Sequence, residues 1–298
     1  MPTYAFVTLD VFTDTRFGGN PLAVFVDAQG LSDAQMQSLA AEMNLSETTF
    51  VLPPHDPTHT ARVRIFNRTA EMPFAGHPSV GTGYVLAQRG GKGLLTLEVP
   101  AGVVEVEIVR DKSGAPSGAV IAAPRPLALG PEYDVETIAA CCGLEPEDIL
   151  TDAHRPVSAS VGVEFILANV RAQALPKASP NLTAFRLAAE QVVPNGEAGG
   201  AERLSILIYA RDGSQITARM FAPLSGTHED AATGSANAAL AALLLSLGAD
   251  QTGTWEVTQG VEMGRPSRLA VAASRTPDGI RARVGGGCVP VFRGEALV

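Results

Sequence analysis

Ala231-Ala232-Thr233-Gly234-Ser235-Ala236-Asn237-Ala238-Ala239-Leu240-Ala241-Ala242-Leu243-Leu244-Leu245 carries no charged side chain. Read as a helix, it is apolar on every face, and such a helix has to be buried on every face. In a soluble protein something must surround it. A curved sheet closing round a central helix is one solution, and the many alanines permit close approach of that sheet. The most apolar stretch, Ala236 to Leu247, is too short to cross a bilayer, which needs roughly 20 apolar residues. No membrane association is expected.

Strands flank this helix. Leu204 to Tyr209 and Gln215 to Phe221 read as strands before it. The helix is expected to start near Glu229-Asp230 and to end at Gly248. Further strands follow near Thr254–Gln259, Arg268–Ala272 and Ile280–Val284. The first part of the chain has the same plan. Phe6 to Phe12, Leu22 to Val26, Thr48 to Leu52 and Ala61 to Phe66 read as strands. A helix is expected from Ser32 or Asp33 to Met43, with Ser32 and Gln35 at capping-box spacing. A second helix follows Gly76-His77-Pro78 and stops near Gly90-Gly91. Pro124-Arg125-Pro126 suits a linker. The chain therefore predicts a duplicated α+β architecture, with residues 1–124 as an N-terminal lobe and 125–285 as a C-terminal lobe.

Composition narrows the function. The 298 residues are 46% hydrophobic and 18% charged, with a net charge of -9, so disorder is not expected. No run of Lys or Arg stands out. An acidic chain without a basic patch is a poor nucleic-acid binder, because phosphate contacts carry most of that affinity. Met1-Pro2-Thr3-Tyr4-Ala5-Phe6 has no basic segment followed by an apolar one, so no signal peptide is expected. Cys141, Cys142 and Cys288 are odd in number and two are adjacent, which fits no disulfide framework or metal spacing. A reducing cytoplasm is the simplest reading. Three Asn-x-Ser/Thr sequons, at Asn44, Asn67 and Asn181, read as chance occurrences.

Two helix starts share a pattern: Pro73-Phe74-Ala75-Gly76-His77-Pro78-Ser79-Val80-Gly81 and Glu229-Asp230-Ala231-Ala232-Thr233-Gly234-Ser235-Ala236. Each sets glycine and small or polar residues before an apolar helix. Free N–H groups and the helix dipole favour bound anions there, and glycine lets a ligand approach the backbone. If both starts face one cleft, they cradle a carboxylate. Each is equally readable, taken singly, as an ordinary helix start.

Phe17-Gly18-Gly19-Asn20-Pro21, Asn44-Leu45-Ser46-Glu47-Thr48, Pro73 to Pro78 and Glu229 to Ala236 resemble, in order and separation, four signatures of the PhzF-like phenazine-biosynthesis family. Gln259-Gly260 with Gly264-Arg265-Pro266-Ser267 is a fifth match, and the resemblance covers essentially the whole chain. It implies a diaminopimelate-epimerase-like fold: two similar lobes, each a mostly antiparallel sheet wrapped round a central helix, with the active site between them. It also implies that a final strand, residues 286–298, returns to the N-terminal lobe. A homodimer is implied, and no cofactor. Two positions depart from the pattern: the usual Asp-Pro-Ala-Thr-Gly reads Asp230-Ala231-Ala232-Thr233-Gly234, and the usual Phe-Thr-Pro reads Phe66-Asn67-Arg68. Neither removes a proposed acid, base or helix-start donor.

The resemblance implies Glu47 as the acid/base, His77 and Asp230 as its catalytic partners, and Ser235 as a substrate contact. Asn20, Gly76 and Gly234 join the expected substrate-binding set. The chemistry is consistent. A carboxylate screened from water can hold a raised pKa suited to acid–base work near neutrality. His77 can donate to or accept from a substrate hydroxyl or carboxylate. Asp230 can hold a substrate amine or tune Glu47 by like-charge coupling. As residues alone, Glu47 also fits an exposed strand-edge carboxylate, His77 a helix-flanking group, Asp230 an N-cap and Asn20 plain turn chemistry.

Other constellations are weaker. His55-Asp56-Pro57-Thr58-His59 spaces two histidines four apart, but its proline argues against a helix placing them on one face, and no metal site is expected. Gly285-Gly286-Gly287 is not followed by the Lys and Ser/Thr of a phosphate loop. A Ser235, His77, Asp230 hydrolase lacks the Gly-x-Ser-x-Gly elbow. Two-thiol epimerisation needs a cysteine at each helix start, where Ala75-Gly76 and Ala232-Thr233 stand. The expectation is a cofactor-independent isomerase moving a proton on a small carboxylate, resembling trans-2,3-dihydro-3-hydroxyanthranilate isomerase. The alternatives are an amino-acid racemase or epimerase and a non-catalytic metabolite-binding protein.

Overall fold

The structure is a computed structural model and describes residues 1–91, 93–192 and 204–298. The chain forms two compact units: Met1–Pro124 with Ser267–Ala270 and Arg283–Val298, and Arg125–Pro266 with Val271–Ala282.

The first unit holds β1 (Thr3–Val11), β2 (Asn20–Phe25), α1 (Asp33–Met43), β3 (Glu47–Leu52), β4 (Ala61–Phe66), β5 (Glu71–Met72), α2 (Gly76–Gln88), β6 (Leu95–Val99), β7 (Gly102–Arg110) and β8 (Pro116–Ala122). The second holds β9 (Ala128–Glu132), α3 (Val135–Cys142), β10 (Val157–Ser160), β11 (Glu164–Asn169), α4 (Leu182–Val192), β12 (Ile206–Asp212), β13 (Gln215–Ala222), β14 (Thr227–Asp230), α5 (Gly234–Ser246) and β15 (Thr252–Gln259). β16 (Ser267–Thr276) and β17 (Gly279–Leu297) contribute to both units. β17 is one unbroken strand, and its Arg283–Val298 part belongs to the first unit together with Ser267–Ala270.

In the first unit the pairings close on themselves. β17 pairs with β1, β1 with β2, β3 with β4, β6 with β7, β7 with β8, and β8 with β17, all antiparallel. β2–β3 and β4–β6 are parallel. A parallel pair needs a crossover connection. α1 supplies the first, and β5 with α2 supplies the second. The second unit repeats this device: β11–β12 and β13–β15 are parallel, bridged respectively by the segment containing α4 and by β14 with α5.

α2 is buried at eleven positions and packs against β1, β2, β3, β6, β7 and β8. Glycine makes the approach possible. A Cβ on Gly83 would lie 2.4 Å from Val106 Cγ1, and one on Gly81 2.5 Å from Leu22 Cδ2. α5 is buried from Gly234 to Leu245 and packs against β10, β11 and β15. Each fully buried leucine there contributes about 1.5–3 kcal/mol, and alanine adds the best helix propensity. The charge-free run is therefore core on all sides, as its composition required.

Short-range chemistry agrees with the sequence reading. Ser32 and Gln35 form the capping box of α1. The three sequon asparagines have local duties: Asn44 caps α1 in the left-handed conformation, Asn67 accepts from the N–H groups of Thr69 and Ala70, and Asn181 accepts from Thr183 and Ala184 at the start of α4. The glycine triplet serves close packing, since a Cβ on Gly286 would meet Phe12 Cδ1 at 2.7 Å and one on Gly287 the Thr13 carbonyl at 2.6 Å. One expectation is corrected. The second major helix does not begin near Glu229-Asp230. Those residues end β14, where Asp230 pairs with Met220, and α5 starts four residues later with Thr233 as its cap. A strand hydrogen-bonded to β13 outcompetes an extra helical turn.

Candidate active site

The first unit assembles Asn20, Glu47 and His77. β1 leaves its barrel position through a tight loop with positive φ at Phe12, Phe17 and Gly19 (65°, 71° and 63°). The Asp10 carboxylate accepts the Phe17 N–H at 2.7 Å. Gly19 is required: a Cβ there would stand 2.4 Å from the Val11 carbonyl. This turn delivers Asn20 to the start of β2. The parallel register then sets Glu47, first residue of β3, opposite Leu22. Parallel strands bring their N-terminal ends to the same edge, so α1 carries the chain back and Ser46-Glu47 arrive beside Asn20.

His77 is the second residue of α2. Its imidazole is fully buried, and desolvation pushes its pKa down to about 3; the Pro21 backbone pulls the other way, more weakly. It is neutral at physiological pH. Asn20 Nδ2 lies 3.3 Å from His77 Nδ1, and Ser46 Oγ donates to Asn20 Oδ1 at 2.9 Å. On the other side of the ring, His77 Nε2 is 3.4 Å from Glu47 Oε2. With the ring neutral this is no ion pair, and at that distance and angle it is not a formed hydrogen bond. No side chain caps α2 at Ala75. Its first N–H groups lack intrahelical partners, and they belong to Gly76 and His77.

The second unit assembles Asp230, Thr233, Gly234 and Ser235. Gln259 is its hub, wholly buried. Its Nε2 donates to the Asp230 carbonyl (2.9 Å) and to Thr233 Oγ1 (3.2 Å). Its Oε1 accepts from the Thr233 N–H (3.2 Å) and from Asn237 Nδ2 (2.7 Å). Thr233 Oγ1 donates to Asp230 Oδ2 at 2.6 Å. Behind this hub, Arg219 grips Glu229 with two bonds of 2.8 Å and the Leu175 and Ala178 carbonyls at 2.7 Å. That anchors the strand carrying Asp230. α5, like α2, begins without a side-chain cap. The sequence reading assigned no role to Ser46, Thr233, Asn237, Gln259 or Arg219. Ser46, Thr233 and Gln259 lie inside quoted motifs, and that is the available signal.

Other candidates resolve into structure. Glu98 accepts from the His55 and Asp56 N–H groups at 2.8 Å and meets His59 Nδ1 at 2.9 Å, which holds its pKa down to about 2. The two histidines lock a turn onto this carboxylate. No cluster of three or more metal-ligating side chains occurs among the described residues. The three cysteines are free and buried, and burial raises their pKa values, that of Cys141 to about 12. They are poor nucleophiles. A cavity of about 560 Å3 beside the C-terminal half of α2, lined in part by Phe6, Tyr84, Gln88 and Arg293, includes none of the candidate site residues. Among the described residues no helix is long and apolar enough to cross a membrane.

Comparison with known proteins places this geometry. The architecture is that of the PhzF and proline-racemase-like isomerases, a diaminopimelate-epimerase-like fold built on mixed sheets. A crystal structure of a PhzF-family phenazine biosynthesis protein from Bacillus anthracis superposes with a TM-score of 0.86 at 25% identity, covering 100% of both chains. An uncharacterised isomerase of Mesorhizobium japonicum is 37% identical over 100% of both chains. Trans-2,3-dihydro-3-hydroxyanthranilate isomerase of Pseudomonas chlororaphis is 36% identical over 98% of this chain and 99% of its own. The pattern of the family described as phenazine biosynthesis-like protein matches residues 9–294. The chain belongs to this family, and it is an isomerase.

Proposed function

We propose that the protein moves a proton on a small cyclic amino carboxylate of the dihydro-hydroxyanthranilate type, with Glu47 as the group that takes and returns the proton. The observation that carries the reading is a carboxylate set against a neutral, buried imidazole at the open start of α2. Glu47 removes a hydrogen from one ring carbon. Electrons shift along the conjugated system, and the Glu47 acid delivers a proton to a second carbon. His77 and Asp230 orient the substrate and balance charge. The N–H groups at Gly76, Gly234 and Ser235 receive its carboxylate, and Asn20 supports the site from β2. A central helix within each lobe would put those groups at its mouth. The chemistry asks only for side-chain acid and base, and the buried thiols argue for a carboxylate route over a two-thiol one. A homodimeric, cytoplasmic enzyme completes the reading.

The test is turnover in D2O with a cyclic amino carboxylate, read by mass spectrometry. Label at a new carbon supports isomerisation. Label at the original carbon with inverted configuration makes the protein an epimerase. Binding with no label anywhere makes it a metabolite-binding protein.

A further inference from the structure

We propose that the edge of β17 from Val291 to Leu297 is the dimer contact of this protein. Its occupant is the same stretch of a second copy, paired antiparallel about a two-fold axis at Gly294. The proposal deepens the homodimer reading given above and rests on it for the existence of a dimer. It adds the surface, the register and the residues.

The edge follows from the pairing. Up to Gly287, β17 has β8 along one side. From Cys288 onward its partner is β1, in a register that runs to Leu297. Arg16 Nε donates to the Pro290 carbonyl at 3.0 Å. Beyond that bond, no strand among the described residues pairs with the side of β17 turned away from β1. Alternation fixes which backbone groups lie there. Ala5 turns its carbonyl to β2, where the Val26 N–H donates to it at 3.2 Å. Neighbours alternate in an antiparallel ladder, so Glu295, opposite Ala5, turns its N–H and C=O away from β1. Arg293 and Leu297 do the same. At the end of the strand Val298 faces the other way, donating its N–H to the Pro2 carbonyl at 3.1 Å. Arg293 and Glu295 are exposed, and Phe292 and Leu297 keep 65% and 70% of their exposure. An edge of this kind is a template for a further strand.

Charges on an edge usually keep other strands away. Here their order does the opposite. Only residues that turn outward can face one another, which limits self-pairing to registers of odd-numbered against odd-numbered residues. Centred on Arg293 or on Glu295, the pairing sets like charges opposite each other, which is destabilising. Centred on Gly294, it sets Arg293 against the partner's Glu295 and Glu295 against the partner's Arg293. A two-fold axis makes both contacts from one self-complementary patch. Gly294 then faces its own copy in a pair whose Cα atoms approach to about 4.5 Å, and it has no side chain to collide there. The same register sets the partner's Leu297 across from Val291. That is beside the cavity of about 560 Å3 that Pro290, Arg293 and Glu295 help to line.

The experiment is sedimentation equilibrium of the full chain over a concentration series. The wild type should be a dimer. Arg293→Glu sets Glu opposite Glu at both contacts, and Glu295→Arg sets Arg opposite Arg. Each should raise the dimer dissociation constant by about 100-fold, because facing like charges are strongly unfavourable. Mixed in equal amounts, the two variants offer opposite charges at both contacts and should form a heterodimer about as tight as the wild-type dimer. The double variant, Arg293→Glu with Glu295→Arg, should dimerise like the wild type. Both positions are exposed, so the variants should fold, which far-UV circular dichroism checks. Amide exchange gives an independent reading: the N–H groups of residues 293 and 295 should be protected in the dimer and exchange rapidly in the single variants. A dimer of unchanged strength in both single variants sits on another face; that overturns this proposal and leaves the homodimer reading standing. A monomeric wild type overturns both. Weakening without recovery in the mixture or in the double variant overturns the register, and the proposal with it.

Discussion

His77 Nε2 stands 3.4 Å from Glu47 Oε2, and the two side chains keep only 4% and 16% of their exposure. A neutral imidazole in that position gives the Glu47 side chain no counter-charge. It can also tighten its bond when substrate excludes the remaining water, as catalytic hydrogen bonds often do only in the complex. This pairing makes the first prediction. Glu47→Gln keeps size and shape but cannot take up a proton. Turnover should fall by about 10⁴-fold or more, at the top of the range for general acid–base groups, about 5 kcal/mol at 1.36 kcal/mol per tenfold. Substrate affinity should change little. Deuterium incorporation at the wild-type rate in this variant would move the chemistry to Asp230 or His77.

The second prediction concerns acid stability. His77 titrates near 3 when folded and near 6.5 in an unfolded chain. Between those values the unfolded state binds the extra proton, so stability rises with pH. His77 therefore favours folding fully above pH 6.5, and that contribution is lost as the pH falls toward 3. The slope is about 1.4 kcal/mol per pH unit for one proton. The His154 pKa is also lowered by burial and contributes in the same sense, so the comparison must be between proteins. Urea midpoints of wild type and His77→Gln should differ in pH dependence by about one proton between pH 4.5 and 6.5. Parallel curves would show that the ring is not buried neutral.

Gln259→Leu removes a hub of four hydrogen bonds. It strands the buried Thr233 N–H, at about 1–3 kcal/mol for an unsatisfied group, and removes one donor each from the Asp230 carbonyl and Thr233 Oγ1. A loss of about 2–4 kcal/mol is expected in denaturant unfolding. Because the same bonds fix Asp230, kcat should fall even at temperatures where the variant is folded. A stable variant with normal turnover would make Gln259 dispensable to both.

Gly83→Ala tests how closely α2 is packed. Alanine should gain up to about 1 kcal/mol in helix propensity. Against that, its Cβ would lie 2.4 Å from a stiff, branched Val106, and overpacking of this kind costs about 1–3 kcal/mol. The net effect should be destabilising. Val106→Ala in the same chain should recover most of the overpacking cost, giving a double variant more stable than the sum of the single losses. Additivity instead would mean that the helix shifts away without strain.

The Asn20, Glu47 and Asp230 motifs, the glycine-bearing start of α2 and the Ser32–Gln35 cap were all legible in the residues, because each is a local arrangement within a few positions. So was the burial of α5, since a helix with no charge on any face admits no solvent-exposed side. β6 to β11, α3 and α4 were not read. Their strands are short or exposed on one side, as β9 is along its whole length, and their identity comes from partners distant in the chain. The start of α5 was misplaced for the same reason: pairing of Asp230 with Met220 is a long-range choice that no local propensity announces. The sequence by itself determined which segments must be core and where the chemistry-bearing groups stand along the chain. Only the tertiary structure decided that Asn20 would meet His77 across 57 residues and that Gln259 would bind the α5 start. Those contacts are set by strand register and by burial, which make each enclosed polar atom find whichever partner the fold brings within reach.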